Sequence, residues 1–124
     1  MTEPRRLLIV ENEPVLVVML QKFFSGHGYD VTVARSYDEY RTMKSGVYDA
    51  AIIDCSLVGA LNQDGLRIVR ELRDAKMSKF TLMFTAVQDP AITQSAKDAG
   101  ADEVLIKPVP LTRIERLIDE RNSK

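Results

Sequence analysis

The run Leu7-Leu8-Ile9-Val10-Glu11-Asn12-Glu13-Pro14 changes character at one peptide bond, from four apolar side chains to three polar ones and a proline. Four apolar residues in succession have strand length, and a strand without alternation is one covered on both faces. An Asn and a Pro ahead of a strongly apolar stretch, Val15 to Phe24, are start signals for a helix, which Gly26 and Gly28 stop. Further along, Val31 and Val33 alternate with polar neighbours and read as a strand nearer an edge. Ser36-Tyr37-Asp38-Glu39 has capping-box spacing for a second helix, with Gly46 expected to close it. Ala50-Ala51-Ile52-Ile53, Thr81-Leu82-Met83-Phe84 and Val104-Leu105-Ile106 are three more strand-length runs. Between them, Cys55 to Asp64 shows no period and reads as a loop, while Leu66, Val69 and Leu72 mark a helix reaching Ala75. Asp89-Pro90 opens a helix that Gly100 stops, and Leu111, Ile114, Leu117 and Ile118 form the apolar stripe of a last one. Five strands each followed by a helix imply an α/β domain, a doubly wound parallel sheet with helices on both faces. This periodicity does not choose among the doubly wound strand orders.

The 124 residues suit a single domain over 1–124, with a core from about 6 to 121. A chain of this size buries about two-thirds of its unfolded surface and needs no disulfide or metal to fold. Seventeen basic against eighteen acidic side chains leave a net charge of −1, without the basic excess of a dedicated nucleic-acid binder. The single cysteine, Cys55, excludes an internal disulfide and a thiolate zinc site. Met1-Thr2-Glu3-Pro4 lacks a signal pattern, and the longest apolar run, Val15 to Leu20, is too short to span a bilayer. A cytoplasmic location with no membrane partner is the expectation.

Polar residues break the pattern where strands end. Glu11-Asn12-Glu13 follow the first run, Asp54 the third, Thr85 the fourth and Lys107-Pro108 the fifth. The C-terminal ends of parallel strands share one edge of the sheet, and the crevice there is where ligands bind. Glu11, Asn12, Asp54, Thr85 and Lys107 are therefore expected to converge. Oxygen ligands, a hydroxyl and one ammonium suit a hard cation together with an anionic group such as phosphate. Each has a plainer reading alone: Asn12 as the N-cap of the first helix, Glu13 as a helix-start acid, Thr85 as a strand residue, Lys107 as a surface lysine. Asp54, directly after an apolar run, needs a partner.

Leu8-Ile9-Val10-Glu11-Asn12-Glu13-Pro14, Ile53-Asp54, Gly65, Phe84-Thr85-Ala86 and Ile106-Lys107-Pro108 together resemble the bacterial response-regulator receiver domain, over essentially the whole chain. The resemblance implies a flavodoxin-like sheet in strand order 2-1-3-4-5. It implies that Asp54 accepts a phosphoryl group from the phosphohistidine of a sensor histidine kinase or histidine phosphotransfer protein, as the nucleophile of an in-line displacement. It also implies Mg2+ held by Glu11, Asn12, Asp54 and the main-chain carbonyl of Ser56. Lys107 would pair with one phosphoryl oxygen, Thr85 would turn its hydroxyl towards another, and Lys107-Pro108 would be a cis peptide. A downstream protein target, and a homodimer through the last strand–helix units, follow by the same analogy. Such a domain is a switch and not an enzyme, beyond slow self-catalysed phosphorylation and dephosphorylation.

Three departures from the family pattern bear on this. Asn12 stands where an Asp is usual, so the site loses one negative charge and weaker Mg2+ binding is expected. Val104 stands where an aromatic residue usually couples to the Thr, so a signal must reach the last helices by another rearrangement. The segment from Asp54 to Gly65 is longer than usual and lacks the common Pro, with Leu57-Val58-Gly59 at the expected turn; it serves partner recognition or is slack. Asn12 and Val104 motivate a rival reading, a degenerate receiver acting as a phosphorylation-independent adaptor. A metal-dependent enzyme is poorer, since no general base lies beside the acids and the sole histidine, His27, falls in a surface turn. Cys55 reads as a small packed hydrophobe, with a redox role as the lesser alternative. Arg113, Glu115, Arg116, Asp119, Glu120 and Arg121 read as a solvated helix face first and a partner surface second. The chain ends soon after, and a stand-alone receiver without an output domain is the expectation.

Overall fold

The computed structural model describes residues 4–43, 46–55, 64–86 and 88–122. Strands and helices alternate: β1 (Arg6–Val10), α1 (Pro14–Gly26), β2 (Asp30–Ala34), α2 (Tyr37–Arg41), β3 (Ala50–Asp54), α3 (Asp64–Ala75), β4 (Thr81–Thr85), α4 (Pro90–Ala99), β5 (Glu103–Ile106) and α5 (Leu111–Asn122). The five strands form one parallel sheet in the order β2-β1-β3-β4-β5. The strand order that periodicity left open is thus the flavodoxin-like one, and β2, with its alternating Val31 and Val33, is indeed an edge.

Strand alternation divides the apolar residues between two cores. Leu8, Val10, Ala51, Ile53 and Met83 face α3 and α4, meeting Ile68, Val69, Leu72, Ala96 and Ala99. Leu7, Ile9, Ile52, Leu82, Phe84 and Leu105 face α1 and α5, meeting Leu20, Phe24, Ile114 and Ile118. Because both faces are covered, β1, β3 and β4 are apolar on both, which is why their sequences do not alternate.

Local chemistry sets several element ends differently from the sequence reading. The N-cap of α1 is Glu13, not Asn12, and its side chain makes no capping bond; Pro14 opens the helix. Helix α2 has the expected Ser36 cap, whose hydroxyl accepts from the Glu39 N–H at 3.1 Å. The Glu39 carboxylate reaches back to the Arg35 amide, one residue earlier than a capping box requires. This helix stops at Arg41, well short of Gly46, because the Thr42 amide and hydroxyl both donate to the Glu39 carbonyl and close the last turn. In α3 the buried stripe is Gly65, Ile68, Val69 and Leu72, with Leu66 only half-buried at its flank. Helix α4 begins at an Asp89 cap, whose carboxylate accepts from the Ala91 amide, and ends at Gly100 with φ of 124°. Among the described residues, no helix is long and apolar enough to cross a membrane.

Candidate functional site

The hydrogen-bond ladder continues one residue past three strands. The Glu11 amide donates to the Ala34 carbonyl, the Cys55 amide to Phe84, and the Lys107 amide to Thr85. Alternation therefore still governs these positions. Glu11 follows Ile9, Asp54 follows Ile52, and Lys107 follows Leu105, so all three leave the sheet on the α1/α5 face at its C-terminal edge. Cys55 follows Ile53, and Thr85 follows Met83, so this pair leaves on the α3/α4 face.

The first three meet. The Lys107 ammonium lies 3.2 Å from Glu11 Oε1 and 3.4 Å from Asp54 Oδ1. Glu11 and Asp54 are almost wholly buried, 2% and 3% exposed, so the ammonium is the cation that offsets two desolvated carboxylates. The second Glu11 oxygen accepts from the Asn12 and Glu13 amides, both at 3.2 Å. Burial, and next the charge of Asp54, push the Glu11 carboxyl above the usual carboxylate range. Burial alone would lower Lys107, but Asp54 and Glu11 more than offset it, and the ammonium is held more firmly than a free lysine's. Two carboxylates against one ammonium leave an excess negative charge at the sheet edge.

Asn12 is exposed, directly after Glu11 in the loop that leads into α1. Thr85 is buried at the end of β4, one step beyond the Asp54–Phe84 register pair and so beside Cys55. The Lys107-Pro108 peptide is cis, as the resemblance implied. The Ser56 carbonyl and the Leu57-Val58-Gly59 turn lie outside the described residues. His27 sits at the end of α1, half-exposed, with Nδ1 2.6 Å from Glu115 Oε2 and its ring stacked on Phe23, far from the acidic pair in the fold.

In the sequence Gly65 stands out only as a motif match, and the structure supplies its reason. A Cβ there would stand 2.5 Å from the Asp54 carbonyl oxygen and 3.2 Å from the Cys55 Cα. The first turn of α3 is therefore packed directly on the backbone of the β3 carboxylate.

The oxygen donors suit a hard cation such as Mg2+: the Glu11 and Asp54 carboxylates, with the Asn12 amide beside them. Among the described residues, no group of three or more His, Cys, Asp or Glu could hold a metal ion.

A family model for the response regulator receiver domain matches residues 7–119, and the chain belongs to that family. Among its relatives, protein PetR of Rhodobacter capsulatus is 34% identical over 106 residues, which are 85% of this chain and 43% of PetR. The transcriptional regulatory protein TcrA of Mycobacterium tuberculosis is 32% identical over 110 residues, 88% of this chain and 42% of TcrA. The chain thus spans less than half the length of these relatives. The beryllofluoride-activated DrrB receiver domain superposes with a TM-score of 0.84 at 13% identity, covering 98% of this chain and 99% of its own. The receiver domain of the sensor histidine kinase PA1611 from Pseudomonas aeruginosa, solved with magnesium in its active-site cleft, gives 0.80 at 23%, covering 98% and 99%. These two structures establish likeness of fold. Receiver domains are the switch modules of two-component signalling and bind Mg2+ in their active sites.

Proposed function

We propose that this receiver domain is a phosphoacceptor switch in which Asp54 takes a phosphoryl group from the phosphohistidine of a sensor histidine kinase or histidine phosphotransfer protein. The observation that carries this is the Lys107 ammonium placed against both Asp54 and Glu11 at the carboxyl edge of the sheet. A carboxylate oxygen of Asp54 attacks phosphorus in line as the bond to the imidazole nitrogen breaks, and the imidazole keeps the electron pair. Lys107 neutralises a phosphoryl oxygen, and Thr85 turns its hydroxyl to another. Glu11, Asn12 and Asp54, with the Ser56 carbonyl, are the residues that would hold Mg2+. When bound, the ion supplies charge neutralisation between anionic nucleophile and anionic donor.

The domain assignment belongs to this reading: one receiver domain over 1–124, its core from about 6 to 121. Turnover beyond slow self-catalysed phosphorylation and dephosphorylation is not expected. The consequence of phosphorylation is a shift between two conformational states that changes the protein contacts of the β4–α4 and β5–α5 units with a downstream target. Homodimerisation through the last of these units rests on family analogy.

Intact-mass spectrometry after incubation with Mg2+ and a small-molecule phosphodonor tests the reading. One phosphoryl adduct is expected, with none in Asp54→Asn. No adduct with that donor or with a histidine kinase would leave the rival adaptor, which acts through protein contacts without phosphorylation.

Asn12 sets the strength of the metal site. Asn12→Asp places an exposed carboxylate beside the buried Glu11, and Mg2+ affinity measured by titration is expected to rise roughly tenfold, the bare Coulomb gain being reduced by solvent and salt. Equal affinities would show that the amide oxygen serves as well as a carboxylate.

A further inference from the structure

Helix α1 is apolar nearly all the way round. Its inward side chains Val17, Leu20 and Phe24 are buried, yet Val15, Val18 and Met19 stand 66%, 46% and 51% exposed. With the exposed Lys22 these three follow the i, i+3, i+4, i+7 spacing of a second stripe, on the side turned away from the sheet. Where α3 and α5 turn outward they carry charge: Arg67, Arg70 and Asp74 on one, Arg113, Arg116 and Glu120 on the other. A helix facing solvent puts polar residues there, so an apolar outer stripe marks a surface that another molecule covers. Beside it runs a groove of about 410 Å3 between α1 and the β5–α5 connection, walled by Leu16, Met19, Pro108, Val109 and Leu111 and lined also by Glu13.

We propose that this face of α1 is a homodimer surface, on which a second copy of the chain lays its own α1 antiparallel. Charge pattern selects the occupant. The only charge within the stripe is Lys22, and Glu13 at the N-cap precedes it by nine residues, about 13 Å along the axis. The midpoint falls next to Val18. A two-fold axis there sets each Glu13 near the Lys22 of the other copy, over a seam of Val15, Val18 and Met19. Parallel helices would instead bring like charges together at both ends. Antiparallel helix dipoles also attract, and the groove gives apolar side chains of the facing helix a place to enter. A contact made by one helix face belongs with the small interfaces, under about 1,200 Å2 in total, so the dimer is weak and forms with concentration. This surface is distinct from the outer faces of α4 and α5, and it does not depend on the phosphoacceptor reading of Asp54.

Sedimentation velocity on the whole chain, from about 10 μM to 1 mM, tests the proposal. The wild type is expected to move from one chain towards two across that range. Val18→Glu puts two like charges beside the axis and should weaken association roughly tenfold or more, with an unchanged melting temperature because the position is exposed. Glu13→Lys and Lys22→Glu should each weaken it about fivefold, like charges then meeting at both ends. Combining the two exchanges should restore association, since each lysine again meets a glutamate. A wild type that stays monomeric throughout overturns the proposal; if Val18→Glu then slows phosphotransfer from a histidine kinase, the kinase is what covers the stripe. A dimer that survives Val18→Glu also overturns it and places the contact elsewhere. A double exchange no better than either single one overturns the antiparallel arrangement.

Discussion

Replacing Lys107 by Met is expected to destabilise the domain by about 2–4 kcal/mol at neutral pH, although it removes a side chain that is itself a fifth exposed. The loss comes from what is left behind: Glu11 and Asp54, almost wholly buried, face each other without their shared cation. The effect should depend on pH in a defined direction. Burial and the charge of Asp54 already raise the Glu11 carboxyl, and Lys107 is among the groups holding it down. Without Lys107 the folded-state pKa of Glu11 rises further above its unfolded value. A group raised on folding contributes stability that is present below the unfolded value and lost as pH rises through the folded one. The deficit of Lys107→Met against wild type should therefore be largest at neutral pH and shrink as pH falls towards the ordinary carboxylate range. Urea denaturation of both proteins at several pH values checks this, and a deficit independent of pH would mean that Lys107 does not compensate Glu11.

Gly65→Ala should cost about 3 kcal/mol, and thermal unfolding should show a fall of roughly 10 °C. The sign is what makes this informative. At a helical position with open space, Ala is more stable than Gly by about 0.5–1 kcal/mol, because Gly loses more backbone freedom on folding. Here the new methyl would stand 2.5 Å from the Asp54 carbonyl oxygen, a backbone atom that cannot swing aside as a side chain can. Relief requires α3 or the end of β3 to shift, and a shift of β3 moves Asp54 relative to Lys107. A variant of normal or raised melting temperature would show that α3 does not sit against the Asp54 backbone.

The reach and the limits of the sequence show in particular residues. Leu7 to Val10, Ala50 to Ile53 and Thr81 to Phe84 announced buried strands because four apolar neighbours in a row carry that information locally. Glu11, Asp54, Thr85 and Lys107 were legible as a set because each ends such a run, and parallel strands end at one edge. Element ends were read less well. Gly46 looked like the stop of α2, but Thr42 satisfies the Glu39 carbonyl first and the helix stops at Arg41. Asn12 looked as good a cap as any, yet Glu13 takes the position. Such choices turn on a single hydrogen bond between groups whose alternatives are nearly equal in energy.

The order of residues alone established an α/β chain of five strand–helix units, with acids, a hydroxyl and a lysine at the ends of successive strands, because hydrophobic periodicity and strand-end polarity are properties of neighbours along the chain. Tertiary structure alone decided how those groups are shared out. Glu11, Asp54 and Lys107 gather on one face, Thr85 and Cys55 leave side by side on the other, and Gly65 lies against the Asp54 backbone. These contacts join residues up to 96 positions apart. They depend on the register of four strand pairs and the approach of α3 to the sheet, which are set by packing both cores at once and by no segment of the chain on its own.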